Sequence, residues 1–237
     1  TKSGGFFTGV ATTNGQLEPY DSEELIAYEL GIKGQINDLG FRYEASVFYY
    51  DYSDVQSYIR DNSGAIPIQR LGNIPGADIY GADFQLAWFP AALDGFSATI
   101  GGGLLDTELD KFPGPDGTVP SGNELPDAPE ASLSIDLRYR AELAGEQALE
   151  VALDSRYQSE VFRDALNDPL LRADSFTVTN ARVTWYAGAS LELSLWGKNL
   201  GDEEYVVQGL NQLAFGNGYR VFGAPRTYGV SVVKFFE

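Results

Sequence analysis

Two stretches, Leu191-Glu192-Leu193-Ser194-Leu195-Trp196-Gly197-Lys198-Asn199-Leu200 and Ala224-Pro225-Arg226-Thr227-Tyr228-Gly229-Val230-Ser231-Val232-Val233-Lys234-Phe235-Phe236, decide the fold. Each alternates apolar residues with polar or small ones, the period of a strand whose two faces meet different surroundings. A polar, Gly-rich loop joins them, and the second stretch ends on aromatics. The pair reads as the closing hairpin of a barrel.

The same alternation recurs upstream. Ile26, Tyr28, Leu30 and Ile32 share one face, with Ala27, Glu29, Gly31, Lys33 and Gln35 on the other. Asn37-Asp38-Leu39-Gly40 makes a tight turn, after which Phe41, Tyr43, Ala45, Val47 and Tyr49 oppose Arg42, Glu44 and Ser46. Tyr80, Ala82, Phe84, Leu86 and Trp88 alternate with Gly81, Asp83, Gln85 and Ala87. Further strands run through residues 96–106, 131–140, 149–156 and 180–185, and a short apolar one through 5–10. About ten strands are expected, counted on the ten-residue alternating signature.

Composition narrows the class. The 237 residues are 43% hydrophobic and 13% aromatic, with 27 Gly. No run of eighteen apolar residues occurs, so no membrane-spanning helix is expected; barrel strands remain open, because they hide apolar residues at every second position. A formal charge of −18 excludes nucleic acid as a partner, since phosphate binding needs clustered Lys and Arg. The acidity reads either as solvated loops or as a cation-attracting mouth. The chain has no Cys and no His, which removes thiol chemistry, the usual general base and the commonest transition-metal ligand. Neither metal nor cofactor is expected, and an enzymatic barrel is disfavoured. It opens Thr1-Lys2-Ser3-Gly4-Gly5 and contains no Met, and is read as a piece of a longer protein.

Connection lengths decide between barrel and sandwich. Short turns at 37–40, 90–95, near Gly145 and near Gly188 alternate with long loops at 11–22, 60–76, 107–129, 159–173 and 201–223. A Greek-key sandwich has no reason to alternate in this way; an outer-membrane barrel does, with short periplasmic turns and long exterior loops. The expected fold is therefore all-β, an antiparallel transmembrane β-barrel whose apolar alternates face outer-membrane lipid and whose charged alternates face the lumen.

The closing segment resembles the C-terminal signature of the TonB-dependent outer-membrane receptors. Asn199, Leu200, Asp202 and Tyr205 match its "N-L-x-D-x-x-Y", and Pro225, Arg226 and Gly229 its "P-R-x-x-G". Tyr28-Glu29-Leu30-Gly31-Ile32-Lys33, Tyr80-Gly81-Ala82-Asp83 and Leu125-Pro126-Asp127-Ala128-Pro129 resemble further motifs of the family, in the family's order. Glu237 departs from it, because members usually end on an aromatic, which here is the penultimate Phe236. The resemblance implies a Gram-negative outer-membrane receptor that moves a scarce ligand, most often a ferric siderophore or similar small organic ligand, through a 22-stranded plugged barrel. This chain then supplies the C-terminal strands over its whole length, 1–237, and its partners are the plug domain, inner-membrane TonB and outer-membrane lipid. A self-contained small outer-membrane pore and a soluble β-sandwich binding module are the alternatives.

Site residues follow from placement. The motif residues Asn199, Leu200, Asp202, Pro225, Arg226 and Gly229 read as structural, because Asn and Asp satisfy backbone groups where a strand gives way to a loop. Tyr20, Phe112, Phe162, Tyr205, Phe215 and Tyr219 lie in the long loops and either grip an apolar ligand or pack the loops. Glu29, Lys33, Arg42, Asp83, Arg138 and Arg182 are the lumenal, plug-facing candidates. Gly101-Gly102-Gly103 precedes no helix, which leaves a phosphate cradle unsupported. The adjacent carboxylates Glu23-Glu24 and Glu203-Glu204 lack the separation of a glycosidase pair.

Overall fold

The structure, a computed structural model, describes residues 1–6, 13–61, 64, 68–114, 117–212 and 217–236. In chain order, β1 (Gly5–Phe6) and β2 (Pro19–Tyr20) are followed by β3 (Glu24–Ile36), β4 (Phe41–Asp61), β5 (Ile68–Trp88) and β6 (Phe96–Leu109). Next come β7 (Phe112–Gly114), β8 (Gly117–Val119), β9 (Ala131–Glu142), β10 (Gln147–Gln158), β11 (Val161–Phe162) and β12 (Arg172–Ala173). The chain continues through β13 (Phe176–Ala187), β14 (Leu191–Lys198), β15 (Val206–Gln212), β16 (Asn217–Phe222) and β17 (Thr227–Lys234).

Nine of these form one antiparallel sheet in the order β17-β14-β13-β10-β9-β6-β5-β4-β3. Each strand of it pairs with its sequence neighbour in the sheet, the up-and-down meander of a barrel wall. The wall does not close on itself, and β3 and β17 are its edges. No helix among the described residues is long and apolar enough to cross a membrane; the strands do the crossing, each longer than or close to the roughly 9–11 residues a tilted span needs.

Register carries the alternation across the whole wall. Leu30 faces Val47, Val47 faces Ala82 and Ala82 faces Leu104; further along, Val151, Val183, Leu195 and Val230 form a second such row. One surface of the sheet is thus continuously apolar and exposed, with Leu30 at 76% and Val230 at 68% accessibility. In water such a surface would be a large liability; against acyl chains it is at rest. The short turns gather at one end. Gly40 closes the first, at φ +70, where a side chain would run into the Phe89 carbonyl.

Of the strand expected at 5–10, the described part is β1, which pairs with β2 outside the main sheet; residues 7–10 lie outside the described residues. The nine wall strands among the described residues agree with the expected count of about ten. One expectation needs correction. The loop expected at 60–76 is instead the far half of a long hairpin, since β4 and β5 stay paired out to Asp61 opposite Ile68. Above the apolar belt a ladder needs backbone hydrogen bonds but no alternation, so polarity and Gly72, Pro75 and Gly76 mask it. The pairing skips Asp54 and Pro75, where Asp54 takes φ 53 and proline has no N–H to give. Asn73 Nδ2 repairs the break by donating to the Asp54 carbonyl at 2.7 Å.

Candidate functional site

A buried apolar core lies at the long-loop end. Val55 and Ile74 of the extended hairpin pack with Ala77, Leu109, Phe112 and Ala165, drawing three successive excursions into one core. Ile74 and Leu109 are fully buried, at 0%. Polar stitches bind the same segments. Asn167 Oδ1 accepts from Glu124 N at 2.7 Å while its Nδ2 donates to the Glu124 carbonyl at 3.0 Å, and Asn123 Nδ2 donates to the Ala165 carbonyl at 2.8 Å.

The segment before β3 is pinned to the β4–β5 hairpin. The largely buried Glu23 carboxylate accepts from Gln56 N at 2.8 Å and lies 3.6 Å from Lys2 Nζ. Gln56 Nε2 donates to the Ser3 and Asp21 carbonyls, each at 3.0 Å. On the other flank, Val161, Ala173 and Val206 form a second small core. Arg163 crosses it, pairing with Asp127 at 2.5 Å and donating to the Val206 carbonyl at 2.5 Å. Arg220 of β16 donates through Nε and Nη2 to the Leu170 carbonyl, at 3.1 and 2.7 Å. The described parts of the loops therefore form a packed layer above the wall.

That layer is acidic. Burial, and then the charges of Glu130, Glu160 and Asp106, raise the Glu124 pKa above the usual carboxylate range. No group of three or more potential metal ligands is placed to hold an ion among the described residues.

The loop aromatics divide by environment. Phe112, at 2% accessibility, is part of the first core, so its ring has no free face. Tyr205 stacks on Phe176 with centroids 4.6 Å apart and lies against Gly223, where any side chain would collide with its ring. Phe162 and Tyr20 are half-buried in the short pairs β11–β12 and β1–β2. Tyr219 is 45% exposed on β16. Phe215 lies outside the described residues. Tyr58, Leu170 and Phe222, exposed on the same layer, were not singled out by the sequence; they sit in stretches whose polar neighbours give no periodic signal.

The motif residues tie strand to loop. Asn199 is 3% exposed. Its Nδ2 donates to the Glu203 and Ala224 carbonyls at 2.8 and 3.1 Å, and its Oδ1 accepts from Glu203 N at 2.9 Å. Both Asn199 and Asp202 take positive φ, 49° and 55°, a region Asn and Asp tolerate better than other side chains. Asp202 accepts from Arg226 N at 3.1 Å and pairs with its guanidinium at 3.3 Å. Leu200 covers Gly197, Gly229 lies under the Trp196 ring, and Pro225 is exposed in the short segment leading into β17.

The six lumenal candidates fall on the polar face in two groups. On β3–β5, Glu29 stands opposite Phe48, Lys33 opposite Glu44, and Asp83 opposite Ser46, whose Oγ donates to it at 2.8 Å. Arg42 there lies over the Phe89 ring at 5.4 Å. On β9–β13, Arg138 lies 3.7 Å from Glu150, and Arg182 stands between Ala152 and Trp196. The strand β6 separates the two groups, so they do not form one cluster.

Comparison with known proteins places this arrangement. The family model described as "TonB dependent receptor-like, beta-barrel" matches residues 3–200; the Pro225, Arg226 and Gly229 motif lies beyond that match. The pesticin receptor of Yersinia pestis is 27% identical over 209 residues, 84% of this chain and 28% of that protein. The crystal structure of the ferric yersiniabactin uptake receptor FyuA from Yersinia pestis superposes with a TM-score of 0.77 at 22% identity, over 98% of this chain and 34% of that one. The siderophore receptor PiuA from Acinetobacter baumannii gives 0.68 at 20% identity, over 91% of this chain and 29% of that one. The chain thus spans about a third of the length of these proteins or less.

Proposed function

Because this chain belongs to the TonB-dependent receptor β-barrel family, a family of Gram-negative outer-membrane receptors and not of enzymes, we propose that it forms the C-terminal wall and outer loops of a receptor for TonB-energised uptake of a ferric siderophore. In this reading the loop layer captures the ligand, and the polar face of the wall, with Glu29, Lys33, Arg42, Asp83, Arg138 and Arg182, holds the plug through which TonB acts. One observation carries the reading. A packed, aromatic-bearing loop layer is borne on a wall whose outer surface is apolar throughout, the arrangement of a receptor mouth rather than of an open pore. The relatives named for ferric yersiniabactin uptake and as a siderophore receptor support the ligand class. Of the loop aromatics singled out from the sequence and described, Tyr219, exposed on β16 beside the Arg220–Leu170 tie, is the one most open to a ligand.

Growth under iron limitation tests the reading. A strain lacking the full-length gene should grow poorly on the cognate ferric siderophore as sole iron source, and the gene should restore it. Replacing the β15–β16 hairpin by a short Gly-Ser link should abolish ligand binding while membrane insertion persists. Undiminished binding by that variant would remove the hairpin from the capture surface.

A further inference from the structure

On the apolar surface near the long-loop end, β13, β14 and β17 leave a depression of about 600 Å³. Val183, Leu195, Val230, Leu200 and Tyr228 line it. At Gly197 the absence of a side chain lets Leu200 and Tyr228 pack down onto the strand, where a Cβ would collide with both. Val183, Leu195 and Val230 occupy one register row of the outward face, so the depression opens to lipid and not to the lumen.

A cation stands at its rim. Arg226 precedes Tyr228 by two residues, at the end of the wall where the loops begin. Its Nη1 lies 3.4 Å from the carbonyl of Leu200, itself a groove residue, and its Nη2 pairs with Asp202 at 3.3 Å. These bonds fix the guanidinium yet leave Nε and further N–H hydrogens without a partner among those described, on a side chain 40% exposed. A planar fork held in this way suits a phosphate oxygen pair better than a mobile ammonium would. Tyr228, two residues on from Arg226, lines the groove and is 66% exposed, an amphipathic side chain of the kind that sits where acyl chain gives way to headgroup.

We propose that this groove is a lipid site: it takes one acyl chain of an outer-leaflet lipid whose phosphate-bearing headgroup is held by Arg226. Apolar surface alone accepts any acyl chain; the fixed guanidinium at the rim selects the phosphate. Asp202 orients that guanidinium and at the same time offsets part of its charge, so it tunes the site towards moderate affinity.

The test uses the full receptor in phosphatidylcholine nanodiscs doped with either phosphatidic acid or the matching diacylglycerol, with retained lipid counted by native mass spectrometry. The receptor should retain one phosphatidic acid in clear preference to diacylglycerol. Arg226→Gln should lower that retention by about tenfold, the scale on which a charge-assisted pair is lost. Leu195→Trp, which fills the groove, should lower retention of both lipids. Asp202→Asn keeps an oxygen for Arg226 N but removes the offsetting charge, and should raise retention of phosphatidic acid. Equal retention by Arg226→Gln, or no preference in the unmodified receptor, overturns the proposal. If Arg226→Gln fails to give the heat-modifiable folded band on a gel, the other two variants decide, and unchanged retention in both overturns it. Displacement of the lipid by millimolar inorganic phosphate would also overturn it, by showing that the headgroup binds without the chain.

Discussion

Single side chains in the loop layer titrate away from their ordinary range because of burial and neighbouring charge. Asp164 lies between β11 and the turn at Pro169–Leu171, and its Oδ1 accepts the Asp168 N–H at 3.0 Å. Burial raises its pKa above the ordinary Asp value; the Asp168 N–H opposes that rise and the Asp168 charge adds to it. A folded pKa above the unfolded one means that the folded loop binds the proton more tightly. Its stability therefore falls as pH climbs from the ordinary Asp range through the raised value, and the loss is complete above it. Asp164→Asn removes the ionisation and keeps an oxygen for Asp168 N. The Asp168 amide should then show a higher protection factor than the parent at pH values above the raised titration, where the parent's carboxyl is ionised, and nearly the same one below the ordinary Asp range, where the parent is protonated. Equal protection at both pH values would show that ionised Asp164 costs the loop nothing. The motif roles of Asn199 and Asp202 were legible at this scale, because a strand giving way to a loop needs short polar side chains that tolerate positive φ. Arg163 was not: it meets Asp127 and Val206, 36 and 43 residues away, and no local pattern announces a pairing so remote.

At the scale of elements, the loop core and the wall draw stability from different solvents. The wall's outer surface is covered by lipid, whereas Ile74 sits in a small water-surrounded core made by loops. Ile74→Ala should cost about 2–5 kcal/mol, and the loss should stay local. Amides of residues 68–76 should lose hydrogen-exchange protection while those of 80–88, within the apolar belt, keep theirs. Equal loss in both halves of β5 would mean that the hairpin opens as one unit. This division also explains which elements the sequence made visible. Within the belt, strands must alternate, and the register rows follow the expected faces from Leu30 to Val230. Above the belt that demand lapses, so the β4–β5 extension read as a polar loop although Val55 and Ile74 lay within it. The short pairs β7–β8, β11–β12 and β15–β16 were hidden inside long loops for the same reason: two to six residue pairs with Gly and Pro nearby leave no periodic trace.

For the whole molecule, the nine-strand wall has two demands that this chain does not meet by itself. Its edges, β3 and β17, present unpaired N–H and C=O groups along their outer sides, and its outer surface exposes Leu30, Leu195 and Val230. Detergent satisfies the second demand but not the first, because micelle interiors offer no hydrogen bonds. Open edges find partners in other copies. The chain expressed alone should therefore need detergent to stay dispersed, and within detergent should still associate, as read by light scattering coupled to size exclusion. The two demands separate experimentally. Without detergent both contribute to association, whereas in detergent the remaining association reports the edges. A monodisperse monomer in detergent would mean that β3 and β17 pair with each other and the nine strands close as a small barrel. A monodisperse monomer without detergent would mean that the apolar surface is covered from within, and would return the fold to a soluble sandwich.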